Sequence, residues 1–199
     1  MKAAHVAIIH CFITFSMACG GPEPDRSYAV TARYEYELGL EALESGDHIA
    51  AMEHLSRVKN KYAYSKYAAL AELKIGDSYF EQQKFVEAVD TYRTFVQRRP
   101  NHAEVDYASW RIAQSYLEQI PSDFFLFPPP YERDRGSIID AERAFSRLLR
   151  LFPEGRFEDR AKAGRARCRN ALAQYELYVA RFYLSQDRHL SARGRLETI

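Results

Sequence analysis

The sequence contains few cysteines, glycines and prolines, and its positive and negative charges nearly cancel. Its 199 residues include 3 cysteines, 9 glycines and 8 prolines, and its formal net charge is +1. So few glycines and prolines, without β-branched runs, argue against a turn-rich all-β fold. The balanced charge gives no case for a nucleic-acid partner, since nucleic-acid binders usually carry a clear basic excess. A hydrophobic content of 47% is enough to form a packed core.

The balanced total conceals an uneven distribution of charge along the chain. Residues 156–199 contain 10 basic and 5 acidic side chains, whereas residues 1–155 contain 18 and 22. The C-terminal segment is therefore basic, with a local charge of +5. This segment favours a partner with an acidic surface, because complementary charges speed the encounter and fix its orientation.

Residues 1–18 have the features of a secretory signal. Lys2 precedes an apolar run over residues 6–18, which is too short to span a bilayer because a spanning helix needs about 20 residues. The run leads into Ser-Met-Ala-Cys-Gly at residues 16–20, which resembles the lipobox of bacterial lipoproteins. That resemblance implies cleavage before Cys19, lipid attachment to Cys19 and a tether over residues 19–27. Gly20 replaces the Asp typical of inner-membrane retention, which favours the outer membrane. The alternative is an ordinary signal peptide followed by an incidental cysteine.

The chain is expected to have no catalytic residue, no metal site and no cofactor. Cys11 leaves with the leader and Cys19 carries lipid, so Cys168 remains alone and cannot form an internal disulfide. The arginines at positions 165, 167 and 169 could lower the pKa of the Cys168 thiol, which keeps an enzyme with a Cys168 nucleophile as one alternative. A packed structural cysteine is the favoured interpretation. No histidine has the spacing of a metal ligand.

A helical pattern recurs along the chain with a period of 37 residues. Gly39, Gly76 and Ala113 are separated by this period. Three later pairs of equivalent residues are 53 residues apart, which indicates one insertion between Tyr116 and Ala141: Ala88 and Ala141, Tyr92 and Phe145, Pro100 and Pro153. These spacings resemble the tetratricopeptide repeat, a pair of antiparallel helices stacked in an array. We expect an all-α solenoid over residues 28–199, with units at 28–65, 66–102, 103–155 with an insertion at 118–136, and an incomplete unit at 156–199.

Arrays of this kind expose a concave groove lined by the first helix of each unit. By repeat position, six residues are expected to face the groove and to bind an extended or helical apolar peptide: Tyr36, Leu40, Leu73, Asp77, Trp110 and Gln114. Each of them could equally be a packing residue. The insertion contains Phe-Phe-Leu-Phe-Pro-Pro-Pro-Tyr at residues 124–131, and its prolines exclude a regular helix. Two interpretations of this loop are open. It either closes one end of the groove or contacts a partner, or it folds back onto its own repeats.

The lipobox, the repeats, the insertion and residues 175–183 together resemble the BamD (ComL/YfiO) family. Further features of the resemblance are residues 62–68, Arg133-Asp134 ahead of Ala141, and a long helix from about Glu158 to Tyr183. The resemblance covers residues 19–199. It implies a lipid-anchored scaffold, without catalysis, on the periplasmic face of the outer membrane. Such a scaffold helps to insert and assemble β-barrel proteins.

The resemblance also implies protein partners, namely the barrel-forming assembly subunit (BamA-like), other assembly lipoproteins and unfolded outer-membrane proteins. The family's contact with the barrel-forming subunit matches Arg195, and Arg181, Arg188 and Arg193 are nearby. Relatives carry about five repeats and a closing helix, whereas this sequence stops within a fourth unit. We therefore expect a fragment or a truncated product, or else a partner that covers this end. The alternative function is that of another envelope lipoprotein with repeats, such as a pilotin or an envelope coordinator.

Overall fold

The computed structural model describes residues 26–119 and 135–199, which form eight α-helices and no strand. In chain order the helices are α1 (Arg26–Glu44), α2 (His48–Lys61), α3 (Lys66–Glu81), α4 (Phe85–Arg98), α5 (Val105–Glu118), α6 (Gly136–Leu151), α7 (Glu158–Ser185) and α8 (His189–Leu196). The all-α fold class expected from the sequence is confirmed. The signal segment 1–18, the lipid site Cys19, residues 124–131 and Arg133-Asp134 lie outside the described residues.

The helix boundaries follow from local backbone chemistry. Gly46 has a φ of +76° in the turn between α1 and α2, a left-handed conformation that glycine adopts without strain. Asp47 then caps α2, because its side chain accepts a hydrogen bond from the amide of Ala50 at 3.0 Å. Pro100 and Pro153 follow the ends of α4 and α6 by two residues, and proline cannot continue a helix without losing a backbone hydrogen bond.

Each helix packs against its neighbours in the chain, and the first helices α1 and α3, and likewise α5 and α7, also touch. The core is divided into three clusters. One joins α2 to α3 through Ala51, Leu55, Val58, Ala71 and Ile75. The second joins α3, α4 and α5 through Leu73, Ala88, Tyr92, Phe95, Val105 and Ala108. The third joins α5, α6 and α7 through Ala113, Leu117, Ile138, Ala141, Phe145, Leu148, Ala161 and Cys168. Stability therefore depends on contacts between adjacent helices.

Glycines mark the closest helix crossings. A Cβ atom added to Gly39 would lie 2.8 Å from the Leu55 side chain, and one added to Gly76 would lie 2.6 Å from Cε1 of Tyr92. Both distances are shorter than side chains tolerate, which accounts for the small residue repeated every 37 positions. A third crossing, where Gly164 of α7 meets the Phe145 ring of α6, did not emerge from the repeat spacing.

Helix α7 is the longest of the described helices, with 28 residues. Arg135, just before α6, contacts Tyr175 and Glu176 of α7. Residues 177–185 therefore extend past the start of α6, and this part of α7 packs on α8. Helix α8 has eight residues, and Ala192 is its one buried residue.

Candidate functional site

The structure brings together two of the six residues expected in the concave groove. Trp110 and Gln114 are half-buried on α5 and line an open cleft that α7 closes on its other side. Tyr36 and Leu40 are half-buried on α1, in the first unit of the array. These four side chains keep surface that a ligand can reach.

Leu73 and Asp77 occupy different positions from those expected. Leu73 is 3% exposed and packs in the cluster that joins α3, α4 and α5. Asp77 is 4% exposed, because side chains from α4 and α5 close over its carboxylate. The repeat position specifies the face of a helix, but it does not account for how closely the next unit covers that face.

Asp77 is the centre of a buried polar network between the second and third units. Its Oδ1 atom accepts hydrogen bonds from the hydroxyls of Tyr92 at 2.5 Å and Tyr107 at 2.6 Å, and its Oδ2 atom accepts one from Lys74 at 2.9 Å. The Arg111 Nε atom is 3.4 Å from Oδ1 and also donates to the Tyr92 hydroxyl. Burial alone would raise the pKa of Asp77, but the Lys74 charge and the tyrosine hydrogen bonds outweigh it and lower that pKa. The ionised carboxylate therefore has a structural role.

The cleft between α5 and α7, here called the concave cleft, has a volume of about 370 Å³. Its walls are formed by Trp110, Gln114, Leu117, Glu118, Phe145, Arg160, Ala163, Gly164 and Arg167. Arg160 and Arg167 are exposed and two helical turns apart on one face of α7. The Trp110 ring stacks on Phe157 with a centroid distance of 4.8 Å, and the Arg160 guanidinium lies 5.6 Å from the Trp110 ring. An apolar floor beside two cations suits a peptide with apolar and acidic side chains.

Sequence reasoning missed the α7 side of this cleft. Arg160 and Arg167 were counted in the basic segment, but the repeat register does not carry through α7, since this helix is longer than the first helix of the other units. Two signals were available in the sequence. The arginines are separated by seven residues, and Gly164 lies between them in a helix, where glycine costs up to about 1 kcal/mol relative to alanine unless packing requires it.

The second half of α7 and α8 form a basic surface, here called the C-terminal surface. Arg181, Arg188 and Arg193 are exposed there. Arg195 is partly exposed, and its Nη1 atom donates to Oε2 of Glu176 at 3.2 Å. Large apolar side chains with exposures from 39% to 86% lie on the same two helices and the residues that follow them: Leu177, Phe182, Leu184, Leu190, Leu196 and Ile199. The structure thus places the four predicted arginines on one end of the array, beside apolar surface.

Other polar candidates have structural partners. His54 contacts the Glu35 carboxylate at 2.8 Å, and His48 contacts the Ser78 hydroxyl at 3.1 Å. Over residues 26–119 and 135–199 there is no group of three metal-binding side chains. Within those same ranges no helix combines the length and the apolar character needed to cross a membrane.

Cys168 is buried in the cluster that joins α5, α6 and α7. Burial, aided by the charge of Glu142, raises the pKa of its thiol to about 11, although Arg167 opposes this shift. The neighbouring arginines therefore do not activate the thiol, and the environment is that of a packed cysteine.

We expect Cys168 to be unreactive in the native protein. With a pKa of about 11, roughly 0.1% of the thiol is ionised at pH 8, and the thiolate is the reactive form. Iodoacetamide labelling, followed by mass spectrometry of the peptide that contains Cys168, is expected to be slower by a factor of about 100 in the native protein than in guanidinium chloride. Equal labelling in the two conditions would restore Cys168 as a candidate nucleophile.

Comparison with known proteins identifies a matching family and several relatives. The model of a family described as "YfiO: Outer membrane lipoprotein" matches residues 29–199. The outer membrane protein assembly factor BamD of Vibrio cholerae is 23% identical over 167 residues, which cover 82% of this chain and 69% of that protein. The proteins of the same name from Pasteurella multocida and Neisseria meningitidis serogroup B are each 24% identical, over 81% and 82% of this chain. The chain spans 63% and 62% of their lengths, slightly less than two thirds.

Proposed function

The chain belongs to the YfiO family of outer membrane lipoproteins, and on that basis we propose that it is a scaffold that helps to assemble β-barrel proteins in the outer membrane. The relatives are named assembly factors, which supports a role in holding partners together without catalysis. We propose that lipid on Cys19 anchors the protein at the periplasmic face of the membrane. Residues 19–27 would then tether the helical array to that anchor.

The observation that carries this proposal is the C-terminal surface. Arg181, Arg188 and Arg193 are exposed on it beside apolar side chains, and this pairing suits an acidic protein surface with apolar residues at its centre. We assign this surface to the periplasmic domains of the barrel-forming subunit, with Arg195 as a direct contact. Other assembly lipoproteins are further partners in the same complex.

The concave cleft is assigned to the second expected partner, unfolded outer-membrane proteins. Trp110 and the apolar floor offer a site for an apolar side chain, and Gln114 offers an amide for backbone hydrogen bonds. Arg160 and Arg167 add positive charge at the opposite wall. Tyr36 and Leu40 extend the accessible surface towards the first unit.

The direct test is a pull-down from detergent-solubilised outer membrane, with the Cys19-lipidated protein as bait. We expect recovery of a large β-barrel subunit. Recovery of a pilus secretin in its place would overturn the assignment and favour the pilotin alternative.

Arg195→Glu is expected to reduce this recovery about tenfold, because it reverses a charge at the proposed contact. The matched control is Arg150→Glu, which makes the same change at an exposed position of α6 and is expected to leave recovery unchanged. Full recovery with Arg195→Glu, measured by quantitative immunoblot, would remove Arg195 from the interface.

A further inference from the structure

Glu176 of α7 is shared by two arginines from different parts of the chain. Its Oε1 atom accepts a hydrogen bond from Arg135 at 2.9 Å, and its Oε2 atom accepts one from Arg195 at 3.2 Å. The Glu176 side chain is 13% exposed, whereas the two arginines are 36% and 38% exposed. A largely buried carboxylate therefore joins the residue before α6 to the last turn of α8.

The Arg135 side of this arrangement is fixed by a second contact. Its guanidinium carbon lies 4.1 Å from the centre of the Tyr175 ring, which is within the range of a cation–π interaction. Arg135 is thus held by two consecutive residues of α7. Both contacts fix the residue that immediately precedes α6 against α7.

Helix α8 is held by its packing on α7. A helix of eight residues is not stable alone in water, and Ala192 is the one buried residue that anchors α8. At the start of the helix, the Arg188 guanidinium lies 5.1 Å from the Tyr183 ring. At its end, Arg195 donates a hydrogen bond to Glu176. The Glu176 contact is therefore one of the side-chain contacts that position the last turn.

The same contact leaves Arg195 able to bind a partner. A guanidinium has five N–H donors, and the hydrogen bond to Glu176 uses the Nη1 end. Glu176 thus orients the group without saturating it. A carboxylate of the partner can take the remaining donors, and it meets a side chain that has already lost much of its rotational freedom.

We propose that Glu176 is a positioning residue, which orients Arg195 for the partner and couples the C-terminal surface to Arg135, the residue that precedes α6. This inference rests on the proposed function for the identity of the partner. It predicts that a change at Arg135, the residue before α6, alters binding at α8.

The test uses the full chain and the purified periplasmic domains of the barrel-forming subunit as the probe. Glu176→Gln is expected to raise the dissociation constant about tenfold, equivalent to ~1.4 kcal/mol. Arg135→Gln is expected to raise it about threefold in the native background and to have no effect in the Glu176→Gln background, since both act through one carboxylate. Glu158→Gln is the matched control, because it removes an ion pair with Lys162 in the first turn of the same helix.

Hydrogen exchange provides a readout that does not need the partner. Amides 190–196 are expected to exchange faster in Glu176→Gln and Arg195→Gln, and at the native rate in Glu158→Gln. If the native protein does not bind the barrel domains, the proposed function fails, and the exchange rates still decide whether Glu176 positions α8. Unchanged exchange in Glu176→Gln, or equal effects of Arg135→Gln in both backgrounds, would overturn the inference. If Glu176→Gln lowers overall stability, Arg135→Gln still tests the inference. It changes a partly exposed side chain, and its dissociation constant is expected to rise about threefold.

Discussion

Asp77→Asn is expected to lower the free energy of unfolding by about 3 kcal/mol, because removing one partner of a buried ion pair typically costs 3–5 kcal/mol. The lower end applies here, since the Lys74 side chain is 37% exposed and water partly screens its charge. Arg111 and the Tyr92 hydroxyl would remain buried, and the Tyr107 hydroxyl half-buried, around a neutral amide. For a chain of this size the loss corresponds to a decrease in Tm of roughly 6–12 °C.

Thermal and urea denaturation, followed by circular dichroism, would measure this loss. The control is Asp90→Asn, the same substitution at an exposed position of α4, which is expected to change stability by less than about 0.5 kcal/mol. Equal losses in the two variants would show that the Asp77 network contributes nothing specific to the fold.

The pH dependence of stability provides a second check on Asp77. Its pKa is lowered in the folded chain from an ordinary value of 3.8. Its contribution is therefore fully present above that ordinary value and is lost as the pH falls through the lower folded pKa. The difference in stability between the native protein and Asp77→Asn should shrink as the pH falls below about 4. A difference that stays constant down to pH 2 would contradict the assignment.

Gly164→Ala is expected to destabilise the protein by about 2 kcal/mol. The added methyl group would lie within 2.8 Å of three atoms of the Phe145 ring, which is 2% exposed and would have to move. Overpacking of this kind costs about 1–3 kcal/mol, which exceeds the gain of up to about 1 kcal/mol that alanine brings to a helix.

Gly194→Ala is the matched control for this substitution. Gly194 also lies in a helix, α8, but a Cβ atom added there meets nothing within 4 Å. Its substitution should therefore stabilise the protein by about 0.5–1 kcal/mol through helix propensity. Opposite signs for the two glycines in urea denaturation would confirm that Gly164 is required by packing. Stabilisation by both substitutions would contradict the close approach of α6 and α7.

The fold class could be predicted because it depends on periodicity. The spacing of Gly39 and Gly76 reflects a distance between two helices, and this distance recurs in each regular unit. Gly164 was not predicted, because α7 is longer than the first helices before it and the period of 37 no longer assigns its packing positions. Periodicity identifies a repeated contact and fails where the chain makes a similar contact in a different register.

The candidate site was predicted less completely, for a different physical reason. A repeat position specifies the face of a helix, but the depth of a side chain depends on residues far away in the sequence. The carboxylate of Asp77 is covered by Tyr92 and Tyr107, which are 15 and 30 residues further along the chain. Trp110 stays half-buried in the wall of the concave cleft, whose opposite side is formed by residues of α7 more than 45 positions further along the chain. These depths follow from the assembled array and not from any one unit.

The length of α7 has a mechanical consequence. Arg160 and Arg167, in the first half of the helix, form one wall of the concave cleft, while its second half carries α8. About 32 Å of a single rod separates Arg160 from Arg181, at about 1.5 Å per residue. Because α7 is one uninterrupted helix, the spacing between the two proposed binding surfaces is fixed by helix geometry and not by a loop.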